Sequence, residues 1–341
     1  MSHQSLQDEK INVICLTPVR NEEWIIDTFL KCASLWADKI IISDQNSIDR
    51  TINIAMNYPK VKIIKNDYDE YNEWKIRKIT YDEARKINGK RLFIALDADE
   101  VFTPEIFENN IWDKILSASP GTIIKTKFVN LLPDLKHYWV GPIDLPWGFM
   151  DDGSDYIAEK IHTNRMIYPK NAKELFISEV KVMHFQFTDW ERMESKHRWY
   201  QCWEHINNPN KSPIEIYRSY HHMYSIKDED IKVIPDSWMN YYLNIGIDLK
   251  NINKTGNYYW DKQVLNYINQ YGAKFFSKIA IWDVAWDEKA KYYKFDNPQD
   301  FKDPRKKIEK YIHNWLKNTQ NNFYSLPNRI ISKILKIAFG W

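Results

Sequence analysis

The chain has 341 residues, a length that suits one large domain or two modest ones. Hydrophobic residues make up 44% of the chain and charged residues 28%, as in ordinary soluble globular proteins. A net charge of +2 argues against nucleic-acid binding, and three scattered cysteines without a CxxC pair argue against a disulfide framework or a zinc site.

The N-terminal segment MSHQSLQDEK is polar and lacks the apolar stretch of a signal peptide. No apolar run of the sequence approaches the roughly 20 residues that a membrane-spanning helix needs. We therefore expect a reducing, cytoplasmic location.

Strand and helix patterns alternate through the first part of the chain. Short apolar runs predict strands, and segments with apolar residues at helical spacing predict the helices between them. This alternation is typical of βαβ units in a mostly parallel sheet, where ligands gather at the carboxyl ends of the strands. The predicted strands are 11–17, 39–43, 61–65, 92–96 and 122–129, and the predicted helices are 22–37, 49–58 and 72–87.

The first glycine of the chain is Gly89. A GxGxxG dinucleotide-binding turn and a P-loop both need glycines after an early strand, so that the backbone can approach the phosphates. Neither motif exists in the first half of this sheet. This excludes the commonest dehydrogenase and kinase architectures, and a nucleotide bound here would be held by side chains and metal.

The pattern changes after residue 131. Residues 132–155 contain several Pro, Trp and Tyr residues and predict irregular, loop-forming structure. A helix start at Thr188-Asp189 precedes an amphipathic helix over 188–207, and the chain beyond it is mainly helical. We therefore predict three parts: a catalytic domain over 1–187, a helical extension over 188–327 with acceptor contacts, and a tail helix over 328–341.

Two carboxylates directly follow the fourth predicted strand. Asp97 and Asp99 lie in the segment RLFIALDADEV, with Ala98 between them. Two carboxylates in one place repel each other unless a cation lies between them, and Mg²⁺ and Mn²⁺ prefer oxygen ligands that they share with phosphate. The pair therefore indicates a metal site for a phosphorylated substrate. The alternative is an acidic turn that caps the following helix.

Four segments resemble family 2 glycosyltransferases of the GT-A fold, in the order in which that family has them. They are TPVRNEE after the first strand, SDQNSIDRT after the second, Asn72-Glu73-Trp74 with Arg77 in the third helix, and LDADE after the fourth strand. The resemblance covers roughly residues 10–200 and is strongest to bacterial lipopolysaccharide-core and capsule transferases. It implies a GT-A domain, with a Rossmann-like and mostly parallel α/β sheet, followed here by a mainly helical C-terminal extension.

The resemblance also implies which residues bind the nucleotide. Asp44 would accept a hydrogen bond from the base, and Arg77 would meet the diphosphate, for which a guanidinium fork is suited. Arg77 is otherwise explained as part of a solvated helix face. The residues around the base and ribose would be Thr17, Pro18, Arg20 and Glu22.

The metal site implied by the resemblance contains three residues. Asp97 would approach the ribose or the metal, Asp99 would bind the metal, and His184 would complete the site. His184 lies in the apolar segment EVKVMHFQF, ahead of a helix that carries Lys196 and Tyr200 as in the family. The alternative is a buried strand histidine with no ligand.

The general base of an inverting transfer is predicted in the segment WGFMDDGSDYIAE, which has two glycines and several acids. We choose Asp152 and keep Asp155 as the second choice. The family's acidic motif does not align cleanly here, and a polar surface turn is the alternative.

The C-terminal part is basic. From Arg305 to Trp341 there are eight Lys and Arg residues and one acidic residue, Glu309. Residues 330–341 form an amphipathic pattern with apolar residues, including Trp341, on one helix face. Such a helix is suited to lie in the interface of a membrane. It equally suits packing on the protein itself or on another subunit.

The sequence thus predicts a metal-dependent glycosyltransferase of the hexosyltransferase type that acts in polysaccharide or lipopolysaccharide synthesis. The resemblance implies inversion at the anomeric carbon, a UDP-sugar donor, Mn²⁺ or Mg²⁺, and a glycan or lipid-linked acceptor. With a peripheral membrane contact through the tail, the enzyme would work at the inner face of the membrane.

Two other functions are consistent with parts of the sequence. A haloacid-dehalogenase-like phosphohydrolase would use Asp97 as nucleophile and Asp151-Asp152 as late metal ligands, although that family places its DxD motif on the first strand. A non-catalytic carbohydrate-binding module would explain the 15 Trp and 21 Tyr, since flat rings cover the apolar face of a sugar. Large aromatic cores explain the same composition.

Overall fold

The computed structural model describes residues 10–66, 73–154, 165–166, 168–169, 171–252, 254, 256 and 258–341. The chain divides into two compact units. We call Met1–Thr188 with Lys232–Lys254 the sheet unit, and Asp189–Ile231 with Thr255–Trp341 the helical unit. The predicted domain boundary after residue 187 lies one residue from the division between Thr188 and Asp189. The segment Lys232–Lys254, which the sequence places in the helical extension, instead belongs to the sheet unit.

One sheet contains the nine strands of the described residues. They are β1 Asn12–Val19, β2 Lys39–Asp44, β3 Val61–Lys65, β4 Arg91–Ala95, β5 Glu100–Phe102, β6 Thr122–Leu131, β7 His137–Met150, β8 Lys173–His184 and β9 Ile231–Val233.

The strand order is β3–β2–β1–β4–β7–β6–β8–β5, with β9 paired to β7. The first four strands of this order are parallel. Beyond them, β7 is antiparallel to β4 and β6, β8 is parallel to β6, and β5 is antiparallel to β8. The sheet is therefore mixed rather than mostly parallel, and its parallel half coincides with the predicted βαβ units.

Helices cover both faces of the parallel half. Successive side chains of a strand point to opposite faces, so Cys15 of β1 packs into the hydrophobic cluster on one face and Leu16 into that on the other. The first cluster includes residues of α1 Ile26–Trp36, α2 Thr51–Ala55 and α4 Asn109–Leu116, and the second includes residues of α3 Glu73–Ala84.

The strand β7 corrects the prediction that residues 132–155 are irregular. It pairs with β4 on one side and β6 on the other. The prolines fall where this ladder is interrupted: Pro146 stands opposite Lys125 at a register shift, and Pro142 lies in a second one. Proline has no N–H to donate, and bulges tolerate it. The prolines that made this segment look like a loop therefore mark bulges within a strand.

The segment Lys232–Lys254 packs on the sheet unit through α7 Asp236–Asn244. Trp238 Nε1 donates to Glu105 Oε1 over 3.1 Å, and the Tyr242 hydroxyl donates to the Phe102 carbonyl over 2.7 Å. Both aromatic side chains are buried. Burial of two large rings with their polar atoms satisfied explains why this segment belongs to the sheet unit.

Six further helices form the helical unit. They are α5 Trp190–Asn207, α6 Pro213–Tyr220, α8 Tyr259–Tyr271, α9 Trp286–Tyr292, α10 Lys307–Asn318 and α11 Leu326–Phe339. The start of α5 follows its sequence signal, because the Asp189 carboxylate accepts from the Arg192 N–H at the first turn. The start of α6 is a capping box formed by Ser212 and Glu215.

The tail helix begins at Leu326, two residues before the predicted start, and is followed by a buried Trp341. This tryptophan lies edge-on to His313, at 5.1 Å between ring centroids. It therefore packs on the helical unit, which is one of the two alternatives that the sequence left open for the apolar face of the tail. None of the helices in the described part of the chain combines the length and apolarity needed to cross a bilayer.

The helical unit contains buried histidines, which predict acid sensitivity. Burial lowers the pKa of His197 to about 3 and those of His221 and His313 to about 4. Unfolded histidines take up a proton near pH 6.5, so below that pH the unfolded state binds more protons. The stability present above pH 6.5 is therefore lost as the pH falls towards 4, by up to about 1.4 kcal/mol per pH unit for each histidine.

The measurement is urea unfolding of the full chain at pH 7.5, 6, 5 and 4. We expect His313→Asn to flatten this pH dependence, because one proton-binding group is gone. Met56→Ala, an exposed position without a titratable group, should leave the slope unchanged. An equal pH dependence of the unfolding free energy in the wild type and His313→Asn would contradict the contribution of His313 to acid sensitivity.

Candidate active site

The carboxyl ends of β1 and β4 form a crevice at which the strand order reverses. The chain runs from β1 outward to β2 and β3, and β4 then pairs on the other side of β1. In open α/β sheets such a switch point is where ligands bind, because the loops after the two strands leave in opposite directions. The nucleotide-binding and metal-binding residues predicted from the four sequence segments lie on strands that end at this edge or in the turns that follow them. Arg77 is the exception, because it comes from α3.

Two turns at this edge are joined by hydrogen bonds. Asn21 accepts from the Ile48 N–H over 2.8 Å, and the Asn21 N–H donates to Ser47 Oγ over 3.0 Å. Asn21 and Asn46 both have φ of +56°. Asparagine tolerates this left-handed region better than most residues. The turns after β1 and β2 are therefore tight without the glycines that the sequence lacks.

The residues predicted around the base and ribose differ in their exposure. Thr17 is fully buried, and its hydroxyl donates to the Leu96 carbonyl, so it ties β1 to the end of β4. Pro18 and Glu22 are half-buried, and Arg20 is exposed. Glu22 Oε2 accepts from Trp24 Nε1 over 2.6 Å. Thr17 is placed to support the crevice, and the other three form its surface.

Asp44 is the last residue of β2, beside Val19 of β1. Its side chain is largely buried, and Oδ1 accepts from the Ser47 N–H over 3.0 Å. This bond orients the carboxylate at the same edge as the β1 turn. The role of Asp44 at the base stays a prediction.

The carboxylates of the segment after β4 lie close to one histidine, His184 at the end of β8. His184 Nε2 lies 3.5 Å from Asp99 Oδ2, and His184 Nδ1 lies 2.9 Å from Asn130 Oδ1. An amide oxygen only accepts, so Nδ1 carries the hydrogen and Nε2 faces Asp99. The backbone pairing of Glu100 with His184 across β5 and β8 brings these residues together.

Two guanidinium groups balance the carboxylates. Arg165 Nη2 lies 3.3 Å from Asp97 Oδ2, and Arg165 Nη1 donates to Glu100. Arg77 Nη2 approaches Asp97 Oδ1 at 3.9 Å, which places it on the site and not only on a solvated helix face. Glu100 is fully buried, and burial raises the pKa of its carboxyl above the usual range, against the opposing effect of Arg165. Its Oε2 also accepts from the Asp97 N–H over 2.9 Å.

The three predicted metal ligands are brought together only in part. Asp99 and His184 are adjacent, and their 3.5 Å separation is near the roughly 3 Å between neighbouring ligands of one Mg²⁺ or Mn²⁺ ion. The Asp97 carboxylate faces Arg165 instead. Across the described residues, no three His, Cys, Asp or Glu side chains are arranged to hold a metal ion. Two protein ligands suit an ion that takes its others from phosphate and water.

The structure does not bring Asp152 to this edge. β7 is antiparallel to β4, and the N–H of Asp151, next along the chain, donates to the carbonyl of Arg91, the first residue of β4. Asp97 is six residue steps beyond Arg91, a distance of roughly 20 Å along the extended chain. Asp151 itself is held by Arg85 and Arg91. Asp155 lies outside the described residues.

Sequence reasoning did not single out three residues of the cluster: Glu100, Arg165 and Asn130. Glu100 was part of the quoted LDADE segment, and a third acid directly after Asp97 and Asp99 was the available signal. Arg165 and Asn130 had none, because both reach the cluster through long-range contacts.

No family model and no curated protein matches this chain. Solved structures that match part of it include glucosyl-3-phosphoglycerate synthase from Mycobacterium tuberculosis in complex with Mn²⁺, UDP and glucosyl-3-phosphoglycerate, at 15% identity and a TM-score of 0.28, over 35% of this chain and 44% of that one. The same enzyme with Mg²⁺ and UDP matches at 13% identity and a TM-score of 0.27, over 35% and 44%.

A 4-diphosphocytidyl-2C-methyl-D-erythritol synthase matches at 15% identity and a TM-score of 0.28, over 34% of this chain and 60% of that one. The chain thus spans less than two thirds of each of these structures. Likeness at this level establishes neither a common fold nor a common activity, and the proposal below rests on the residues of the site.

The buried ion pair of the cluster predicts a large effect of Arg165. Replacing it in Arg165→Met leaves the fully buried Glu100 carboxyl without its partner, and removal of one partner of a buried pair typically costs about 3–5 kcal/mol. We expect this loss in urea unfolding, and we expect Glu100→Gln, added to Arg165→Met, to restore most of it. The matched control is Arg50→Met, whose partner Glu23 is not fully buried. Unfolding of Arg165→Met at the same urea concentration as the wild type would show that this ion pair does not stabilise the protein.

Proposed function

We propose that the protein is a metal-dependent glycosyltransferase that transfers a sugar, with inversion, from a nucleotide-diphosphate donor to a hydroxyl of a glycan or lipid-linked acceptor. The observation that carries the proposal is the position of Asp97 and Asp99 at the switch point of the sheet, with His184 against Asp99. The four sequence segments shared with family 2 glycosyltransferases support it, and three of them end in this crevice.

The crevice suits a nucleotide held by side chains. Asp44 is fixed through one oxygen, and its second oxygen would accept a hydrogen bond from the ring N–H of uracil. The turns after β1 and β2 would line the base and ribose. The resemblance to family 2 glycosyltransferases makes UDP the donor nucleotide that we propose.

The leaving diphosphate would need positive charge. Asp99 and His184 would hold Mn²⁺ or Mg²⁺, which when bound neutralises charge on the departing phosphate. Arg77 and Arg165 already face Asp97 and would lie beside the same group. These guanidinium groups suit bidentate contact with phosphate oxygens.

The general base is not Asp152 in this proposal, because that residue lies at the opposite end of β4. The role of Asp155 as general base stays a prediction. The same geometry opposes the phosphohydrolase interpretation, since Asp151 and Asp152 would have to meet Asp97 across the length of the strand. In addition, β4 is the fourth strand in the chain and not the first.

We also propose that α11 contacts a membrane that carries the acceptor. Leu326, Ile330, Ile334 and Ile337 recur at helical spacing, and each side chain is more than half exposed. Lys333, also exposed, flanks this row. An apolar row with basic neighbours suits the interface of an anionic bilayer.

The first test is a thermal-shift panel with UDP, GDP, CDP and dTDP, each with and without Mn²⁺. Ligand that binds only the native state raises its stability, so we expect UDP with Mn²⁺ to raise Tm by about 3 °C or more at saturation. We expect Asp99→Ala to lose this shift and Asp152→Ala to keep it.

The panel separates the candidate functions. A shift with no nucleotide, or one that is independent of metal and of Asp99, would exclude the proposal. Hydrolysis of p-nitrophenyl phosphate that requires Asp97 would favour a phosphohydrolase instead.

The membrane contact predicts that Ile330→Ser/Ile334→Ser/Ile337→Ser no longer sediments with phosphatidylglycerol liposomes, because the inserted apolar row is lost. Substitution is preferable to deletion of the tail, since Trp341 is buried. The control is Leu243→Ser/Ile245→Ser, two exposed apolar residues of the sheet unit. Sedimentation of the triple variant at the wild-type level would refute the contact.

A further inference from the structure

The helical unit contains a cavity of about 880 Å³ that the proposed transferase site does not use. All of its lining residues belong to this unit, from α5, α6, α10, the segments between them and the turn after α10. Its volume lies within the range of pockets for small ligands. Its aromatic lining residues are Tyr217, Tyr220, Tyr224 and Trp282.

Stacking holds the rings of this lining in place. Tyr217 stacks on His221, with ring centroids 3.9 Å apart and planes inclined by 7°. Tyr220 stacks on Tyr200 at 5.5 Å and 10°. Tyr217 is only 6% exposed and Arg218 lies over its ring, while Lys211 lies over the ring of Tyr220.

An open aromatic ring of the lining is that of Tyr224, which is 45% exposed and stacks on His221 at 5.8 Å and 30°. A ring held in this way binds a ligand at little cost in side-chain entropy, and its flat face matches the C–H face of a pyranose.

The charges of the lining are largely paired within the protein. Arg198 makes a bidentate contact with Asp283, at 2.9 and 2.6 Å. Arg305 is held by Asp303, a residue beside the cavity, at 2.9 Å. Both guanidinium groups therefore already have a carboxylate partner, which disfavours an anionic ligand at these positions. Lys317 is an exposed cation among the lining residues.

Neutral hydrogen-bonding groups complete the lining. The Nδ1 atoms of His197 and His221 lie 3.0 and 2.9 Å from the carbonyl oxygens of Tyr220 and Tyr217. A carbonyl only accepts, so each Nδ1 carries hydrogen and each Nε2 is an acceptor. Burial lowers the pKa of both imidazoles, which keeps them uncharged near neutral pH.

Two amides extend this set. Asn314 and Asn318 are exposed on α10 and stand four residues apart, on the same helix face. Each amide both donates and accepts, as a sugar hydroxyl does.

We propose that this cavity binds an uncharged mono- or oligosaccharide, stacked on the Tyr224 ring and hydrogen-bonded by the neutral imidazoles and the α10 amides. The ligand class follows from the combination of a flat apolar face, paired charges and groups that bond to hydroxyls. The proposal is independent of the nucleotide site and stands even if the transferase assignment fails.

The experiment is saturation-transfer NMR and calorimetry on the full chain, without nucleotide or metal. The probes are methyl glycosides of glucose, galactose, mannose and N-acetylglucosamine, together with maltose, cellobiose and lactose. Inorganic phosphate and glucose 1-phosphate test for an anion site. We expect at least one uncharged saccharide to bind.

Three variants assign the site. Asn314→Ala/Asn318→Ala removes two hydrogen-bonding groups and should weaken binding about tenfold. The matched control Asn266→Ala/Asn269→Ala removes two exposed amides from α8, outside the lining, and should bind as the wild type does. Lys317→Ala should also bind normally. Asp99→Ala should bind the saccharide even if it loses the nucleotide, which separates this proposal from the transferase site.

Three results would overturn the proposal. One is the absence of binding by every uncharged probe at 50 mM, a concentration on the order of ten times a weak millimolar Kd. Another is equal affinity in the Asn314→Ala/Asn318→Ala variant and its control. The third is binding of the phosphorylated probes alone with loss in Lys317→Ala, which would make the cavity an anion site.

Discussion

The parallel pairing of β1 with β2 on one side and β4 on the other is the constraint on which the candidate site depends. Parallel strands end at the same edge, so the turns after all three meet there although they are distant in sequence. The Asn21 and Ser47 contacts then lock two of these turns together. Asparagine in the left-handed region takes the place that glycine has in glycine-rich turns, so these turns are tight although the first glycine of the chain is Gly89.

The carboxylates at this edge of the sheet also need positive charge close to them. Three carboxylates after β4 would repel one another, and the two arginines offset that repulsion in the protein as it stands. Glu100 is buried and bonded to the Asp97 N–H, so it shapes the loop, whereas Asp97 is more open to ligand. The proposed metal site depends on the adjacency of Asp99 and His184, with the remaining ligands taken from phosphate and water. Donor and metal would thus complete the site together.

The helical unit uses its aromatic residues differently. In the sheet unit large rings such as Trp147 are buried as core. In the helical unit several rings stack at the wall of a cavity among neutral imidazoles and amides, and an apolar row on α11 stays exposed. The proposed saccharide and membrane contacts depend on these two features. A transferase with a glycan or lipid-linked acceptor would have a use for each.

The sequence by itself determined the α/β class, the first four strands and the helical C-terminal part, because these depend on local periodicity. It also marked Asp44, Asp97 and Asp99, since motifs at strand ends must gather at one edge. Tertiary structure alone decided the rest. The mixed half of the sheet arises from a bulged strand whose prolines resemble a loop, and Arg165 and Asn130 reach the cluster only through long-range packing. Strand direction, which local sequence does not encode, places Asp152 at the wrong end of β4 for the role that its composition suggested.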